Sequence, residues 1–182
     1  CFAIATLLSI GLILLRYLLH NEIGSIMDIV RYVDVSVLGI VPRYKKDIPN
    51  SQLLVDKNPK SMISEAFRSI RTNLKYISDL ESGPRIISIT STISGEGKTF
   101  VAINLGGIIA YAGKRVVIMD LDMRKPKIHL GFNVENDKGM STLLIGQDNI
   151  QDCIRSSSLD NLDFITAGPI PPNPSELIIN ER

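Results

Sequence analysis

Residues 94–99 read SGEGKT, and they lie between two apolar runs, RIISIT at 85–90 and FVAINLGGIIAYAG at 100–113. The first run has the length of a buried β-strand, and the second has the length of a helix that ends near Gly113. A glycine-rich turn between a strand and a helix lets successive backbone N–H groups face one point, where the helix N-terminus adds partial positive charge. This stretch therefore predicts a phosphate-binding loop in an α/β domain.

The loop carries the two side chains that a nucleotide site requires. Lys98 can reach the β- and γ-phosphates, and the hydroxyl of Thr99 can bind Mg²⁺. The generic pattern GxxxxGK[ST] fails at one position, because Thr92 stands where the pattern has its first glycine. The residues predicted to hold the phosphates are Ser94, Gly95, Glu96, Gly97, Lys98 and Thr99.

A second motif follows the next apolar run. KRVVIMD at 114–120 predicts a buried strand that delivers Asp120, and Asp122 follows two residues later. Alternate residues of an extended chain face the same way, and ligands of open α/β sheets bind at the carboxyl ends of strands. We therefore expect both acids to face the loop, one as a metal ligand and one as a proton acceptor, with their division of roles open. Arg124 either stabilises phosphate charge or pairs with an acid.

The remaining elements predict a parallel sheet flanked by helices, typical of P-loop NTPases. Residues 61–80 predict a helix whose apolar stripe consists of Ile63, Phe67, Ile70, Leu74 and Ile77. Residues 139–155 predict a further helix, and NLDFITAG at 161–168 predicts a third strand. Strand–helix–strand order with short connections predicts right-handed parallel crossovers.

The N-terminal segment differs from the rest in its polarity. Residues 1–15, CFAIATLLSIGLILL, carry no charge, and Arg16 and Tyr17 follow them. A membrane span needs about 20 apolar residues, and a basic residue beside an aromatic one is typical of its cytoplasmic end. We therefore expect the end of a transmembrane helix at residues 1–20, with a buried core helix or a signal peptide as alternatives.

A juxtamembrane segment and linker are predicted for residues 21–60. Within it, residues 25–33 predict a short helix with capping-box spacing, VSVLGIVP at 35–42 predicts a short strand, and residues 43–60 are polar and interrupted by prolines. Residues 61–182 would then form the N-terminal part of an incomplete P-loop domain.

The composition argues against two classes of function. The chain has 182 residues with 20 basic and 19 acidic side chains, a balance that disfavours nucleic acid as a partner. Its two cysteines form no CxxC motif and no cluster with histidine, so neither a disulfide framework nor a zinc site is predicted.

The pairing of STISGEGKT at 91–99 with VIMDLDMR at 117–124 resembles the bacterial tyrosine kinases that regulate capsule and exopolysaccharide export. That family has a modified Walker A motif, SxxPGEGK[ST], followed by a Walker A′ motif of three apolar residues and DxDxR. Residues 117–124 match Walker A′ in full, and Ser94 replaces the proline of Walker A. GPIPPNPSEL at 168–177 is also similar to the family, and its last residues suit a helix start.

The resemblance implies an ATP-dependent protein-tyrosine autokinase with ATP and Mg²⁺ as cofactors. It implies a place at the bacterial inner membrane with the catalytic part in the cytoplasm. Glu65, Arg68 and Arg71 match the family's ExxRxxR motif, which implies ring-like self-association, although such a pattern is also typical of a solvated helix face. The implied partners are the polysaccharide export machinery and a tyrosine phosphatase.

Two further family features, a Walker B motif ending in DTPP and a C-terminal tyrosine cluster, do not occur within residues 1–182. We therefore expect weak nucleotide binding and poor catalysis from this stretch alone. An ATPase of the division-site or plasmid-partition type is one alternative, disfavoured because its KGGxGK[ST] pattern has a lysine where this chain has Ile93. A non-catalytic assembly module of a polysaccharide export complex is another, and it would need no intact loop.

Overall fold

The computed structural model describes residues 2–19, 25–44, 52–77 and 83–179. The chain divides into two compact units between Val37 and Leu38. The unit that contains the phosphate loop thus begins at residue 38, whereas the sequence predicted a domain beginning at residue 61.

The described residues of the first unit form helices α1 (Phe2–Leu18) and α2 (Ile26–Tyr32). Helix α1 has 17 residues. Within the ranges that the structure describes, no helix is both long and apolar enough to cross a bilayer, so the expected transmembrane helix is not confirmed. The start of α2 agrees with the predicted capping box, because the Ser25 N–H donates to the Asp28 carboxylate at 2.9 Å.

The second unit contains helices on a mixed sheet. Its elements are α3 (Leu54–Lys57), α4 (Met62–Ile77), α5 (Lys98–Ala110), β1 (Val116–Met119), α6 (Ile128–Phe132), α7 (Met140–Leu144), α8 (Ile150–Cys153), β2 (Ile154–Ser156), β3 (Leu162–Ile165) and α9 (Pro174–Ile179). The strand order is β1-β3-β2, with β1 parallel and β2 antiparallel to β3. Met119 pairs with Ile165, so the carboxyl ends of β1 and β3 share one edge. The predicted strands at 114–120 and 161–168 are therefore confirmed.

Helix α5 is the centre of the core, and it is apolar on all sides, as is typical of a buried helix. Its Phe100 ring lies 6.2 Å from the ring of Phe67 on α4. Two consecutive glycines allow close contacts: a Cβ on Gly106 would lie 2.8 Å from Ile118 of β1, and one on Gly107 would lie 2.6 Å from Leu53. The helix therefore packs directly between the sheet and residues 53–55.

The interpretation of residues 43–60 as a linker is wrong for residues 52–57. Leu53, Leu54 and Val55 are at most 1% exposed and belong to the main core. The apolar run is short and most residues around it are polar, which is typical of a linker. The run is buried because it packs against α5, about 50 residues further along the chain. Residues 45–51 of the predicted linker lie outside the described residues.

The predicted strand RIISIT at 85–90 is also wrong. The segment pairs with none of the described strands, and its Ile86 side chain is 96% exposed. An apolar run indicates a tendency to be buried, but a strand forms only where a neighbour supplies the hydrogen bonds. VSVLGIVP at 35–42 likewise forms no strand, although Leu38 and Val41 pack half-buried against the core.

The single helix predicted for residues 139–155 is replaced by α7, α8 and β2, because a turn at Gly146 ends α7. The apolar stripe of α4 is confirmed for Ile63, Phe67 and Ile70, which are buried. The end predicted for that helix near residue 80 lies outside the described residues. Helix α9 begins at Pro174, within the stretch predicted to start a helix, and the Asn173 amide donates to the Glu176 carboxylate at 3.1 Å.

Candidate phosphate-binding site

A cleft of about 1030 Å³ lies beside the N-terminus of α5. The loop and the first turns of α5, residues 91–101, form one wall, and the segment after β1 forms another. Residues 41–44 and Gln52 form the third wall, where the sequence predicts a strand end and a linker. Among the residues that the structure describes, the cleft is lined by five basic side chains, Arg43, Lys98, Arg124, Lys125 and Lys127, and by two acidic ones, Glu96 and Asp122. Such an excess of positive charge suits a polyphosphate ligand.

The loop turns through two glycines in left-handed conformations. Gly95 has a φ of +100° and Gly97 has a φ of +94°, and Gly97 is the N-cap of α5. An L-residue with a side chain would be strained by roughly 1–2 kcal/mol at either position. The turn places Lys98 and Thr99 in the first turn of the 13-residue helix, where the helix dipole favours an anion. Helix α5 thus begins two residues before the position predicted from its apolar run.

Glu96 contributes to the shape of the loop through its side chain. Its carboxylate accepts hydrogen bonds from the backbone N–H groups of Thr92 at 3.0 Å and Ile93 at 3.3 Å. These hydrogen bonds hold the first residues of the loop, Thr92 and Ile93, close to Glu96 in its middle. The Glu96 side chain, which the sequence predicted to bind phosphate, is therefore bonded to the protein's own backbone. Its contribution to phosphate binding is indirect.

Replacing Glu96 with alanine is expected to weaken the binding of ADP by roughly fivefold, because about 1 kcal/mol of loop preorganisation is lost with these hydrogen bonds. Glu96→Gln keeps a carbonyl acceptor and is expected to retain affinity within about twofold. Isothermal titration calorimetry measures both variants. Equal affinity of Glu96→Ala and the unmodified protein would show that the loop holds its shape without this side chain.

Lys98 and Asp122 meet in the cleft. The Lys98 ammonium lies 2.6 Å from Asp122 Oδ2, and the two side chains are 34% and 31% exposed. Asp122 Oδ1 also accepts the Lys125 N–H at 3.1 Å. Partial burial raises the pKa of Asp122, but the hydrogen bonds from Lys98 and Lys125 outweigh it, so the net pKa lies below the usual value. The structure therefore brings together two of the predicted side chains as a charged pair.

Asp120 lies at the same strand end but does not line the cleft. It is 6% exposed, and its carboxylate accepts the N–H groups of Asp122 at 3.1 Å, Ile128 at 3.1 Å and Lys127 at 3.3 Å. Burial raises its pKa more than these hydrogen bonds lower it. The expectation that both acids face the loop is wrong for Asp120, because its carboxylate is held by three backbone N–H groups of the segment that follows β1.

The oxygen atoms that could bind Mg²⁺ belong to Thr99 and Asp122. Both line the cleft, and both are the hard ligands that this cation prefers. The ranges described contain no group of three or more His, Cys, Asp or Glu side chains that could hold a metal. Because Mg²⁺ commonly takes one or two protein ligands and keeps water and phosphate oxygens, these two residues fit.

The other predicted residues have partners within the chain. The Arg124 guanidinium donates to the Ser175 hydroxyl of α9 at 3.0 Å while lining the cleft. On α4, Arg68 pairs with Glu65 and donates to the Pro59 carbonyl at 2.7 Å. Arg71 donates to the Ile108 carbonyl of α5 at 2.9 Å. The arginines of the ExxRxxR motif therefore make intrachain contacts, away from the cleft.

Sequence reasoning missed Asn104, a fully buried residue of α5 that supports the third wall of the cleft. Its amide donates to the Gln52 and Phe100 carbonyls, each at 2.9 Å. Its carbonyl accepts the N–H groups of Leu54 at 2.8 Å and Val55 at 3.3 Å. The signal in the sequence was a single asparagine within the apolar run at 100–110.

Comparison with known proteins identifies relatives of this chain. A family model described as an AAA domain matches residues 84–169. CapB of Staphylococcus aureus is 42% identical over 138 residues, which cover 76% of this chain and 60% of CapB. Tyrosine-protein kinase YwqD of Bacillus subtilis is 41% identical over 120 residues, which cover 66% of this chain and 50% of YwqD. The chain thus spans about half to three fifths of these relatives.

A solved structure, the BceF tyrosine kinase domain, superimposes with a TM-score of 0.77 at 31% identity. The match covers 89% of this chain and 69% of that domain. This agreement supports the α/β fold of the P-loop kinase type. Together with the phosphate loop and the acidic motif of the cleft, it shows that the chain belongs to the family of bacterial tyrosine kinases.

Proposed function

We propose that this chain carries the nucleotide-binding part of an ATP-dependent protein-tyrosine autokinase that acts in capsule or exopolysaccharide synthesis. The observation that carries the proposal is the meeting of Lys98 and Asp122 in one cleft at the N-terminus of α5. The kinase names of relatives such as YwqD support the reaction class. A polysaccharide role follows the family resemblance and agrees with a relative described as a tyrosine-protein kinase in the cps region of Klebsiella pneumoniae.

The residues that the sequence predicted for the site have proposed tasks. Lys98 and the loop N–H groups would bind the β- and γ-phosphates, while Thr99 and Asp122 would hold Mg²⁺. The cation, when bound, neutralises charge on the phosphates. Asp120 would position Asp122 and the following loop through its three backbone hydrogen bonds, rather than accept a proton from tyrosine. Arg124 would add positive charge beside the phosphates.

Assembly and location are further parts of the proposal. Glu65 and Arg68, at the surface of α4, would contribute to self-association, and a tyrosine phosphatase and the polysaccharide export machinery would be partners. The described side chains of α1 are exposed and mostly apolar, with Arg16 as the one charged residue and Thr6 and Ser9 bonded to helix carbonyls, which supports attachment of the protein to the inner membrane. The catalytic part would lie in the cytoplasm, where ATP is available.

Incubation of a complete chain that contains this stretch with ATP labelled on its γ-phosphate tests the proposal. Label on protein tyrosine supports the autokinase. Release of labelled phosphate without protein labelling would identify an ATPase instead, and the absence of both products would leave a non-catalytic assembly module.

Replacing Asp122 with asparagine is expected to strengthen the binding of metal-free ADP and to remove the effect of Mg²⁺ on the affinity for ADP. Loss of the ion pair frees the Lys98 ammonium, so affinity for ADP in EDTA should rise by roughly 10-fold, in line with about 1.5 kcal/mol for a hydrogen bond between charged groups. Loss of a metal ligand should abolish the further gain that Mg²⁺ provides. Calorimetric titrations with and without Mg²⁺ measure both effects.

Asp137→Asn is the matched control, because Asp137 forms a 2.6 Å ion pair with Arg155 and does not line the cleft. Its affinity for ADP should equal that of the unmodified protein under both conditions. Weaker binding of Asp122→Asn in EDTA would mean that the pair with Lys98 does not compete with phosphate.

A further inference from the structure

The C-terminal end of α5 has a hydrogen bond for each of its last four carbonyl groups, which a helix by itself leaves without helical partners. Following backbone N–H groups serve Gly107, Ile109 and Ala110, at 2.8, 3.1 and 2.8 Å respectively. The remaining carbonyl, that of Ile108, accepts its hydrogen bond from the Arg71 guanidinium at 2.9 Å. A side chain of α4 therefore completes the cap of α5.

The surroundings of Arg71 favour this contact. Its neighbours Phe67 and Ile70 are buried in the core that α4 shares with α5, and Arg71 itself is half-buried beside them. A cation at a helix C-terminus also interacts favourably with the helix dipole. The contact thus combines a hydrogen bond with a charge–dipole attraction at the end of α5 opposite to the phosphate loop.

We propose that Arg71 is a positioning residue for the phosphate loop: from α4 it caps the C-terminus of α5 and so fixes the helix whose N-terminus carries Lys98 and Thr99. Arg68 has a different task, since its contacts are Glu65 and the Pro59 carbonyl and it does not bond to α5. Within the ExxRxxR motif, Glu65 and Arg68 therefore form a surface pair, whereas Arg71 makes a contact inside the protein. The proposal deepens the proposed function, because it assumes that the loop binds phosphate.

The test compares Arg71→Ala, Arg71→Lys and Arg68→Ala by hydrogen exchange, ADP titration and light scattering. Arg71→Ala should accelerate amide exchange at residues 111–113 at least 10-fold and weaken ADP binding at least threefold. Arg71→Lys retains a charged N–H donor and should restore both quantities to within twofold. Arg68→Ala should leave both unchanged, whatever its effect on oligomer size.

The proposal is overturned if Arg71→Ala changes only the oligomer size and leaves exchange at 111–113 and ADP affinity as in the unmodified protein. The proposal is also overturned if Arg71→Lys does not restore ADP affinity. That result would mean that a charged N–H donor at this position is not sufficient. If Arg71→Ala does not fold, Arg71→Gln, which keeps one N–H donor without charge, replaces it. Failure of the unmodified protein to bind ADP would reject the phosphate site itself, whereas the exchange rates still decide whether Arg71 caps α5.

Discussion

Replacing Lys98 with methionine is expected to lower phosphoryl transfer from ATP by about 10²–10³-fold, the effect typical of removing one preorganised donor from a site that stabilises developing charge. Methionine preserves much of the volume of the lysine stem, so the loop and α5 should keep their structure. The ammonium that lies 2.6 Å from Asp122 is lost, and with it the contact to the phosphates. The initial rate of label transfer to protein tyrosine measures the effect, and circular dichroism checks the fold.

Lys138→Met is the matched control for this variant. Lys138 also belongs to an ion pair, 3.4 Å from Asp148, but it does not line the cleft. Its rate of transfer should stay within about twofold of the unmodified rate, since surface ion pairs contribute little. Persistence of tyrosine labelling in Lys98→Met would remove this loop from the mechanism.

Replacing Asn104 with leucine is expected to lower the free energy of unfolding by about 3 kcal/mol or more. The side chain has a similar volume, but two backbone N–H groups and the Gln52 carbonyl would lose the partners that Asn104 provides. Each buried polar group left without a partner costs about 1–3 kcal/mol. Urea unfolding followed by circular dichroism measures the change, and a fall in midpoint temperature of roughly 6–12 °C should accompany it.

Asn73→Leu is the control for Asn104. Asn73 also lies on a helix and also donates its amide to a backbone carbonyl, that of Leu38, but this hydrogen bond is exposed. Its loss should cost less than about 1 kcal/mol, because water replaces the partner. Equal stabilities of the two variants would contradict the anchoring role of Asn104.

Local features of the chain were predictable because they depend on neighbouring residues. The left-handed turns at Gly95 and Gly97 need only the absence of a side chain, and the apolar stripe of α4 follows from helical periodicity. The strands β1 and β3 follow from short apolar runs bounded by turns. Among these features, the glycine-rich loop and the strand β1 also carried the resemblance to the bacterial tyrosine kinases.

The amino-acid sequence by itself therefore determined the phosphate loop, the helix α5 that follows it and the family of the protein. Only the tertiary structure decided that residues 53–55 are core, that Asp120 faces inward and that Arg71 caps α5. The physical reason is the distance along the chain between partners: Asn104 bonds to residues about 50 positions away, and Arg71 to one 37 positions away. The sequence around a buried polar residue shows that it needs a hydrogen-bond partner. Only the folded structure decides which distant group becomes that partner.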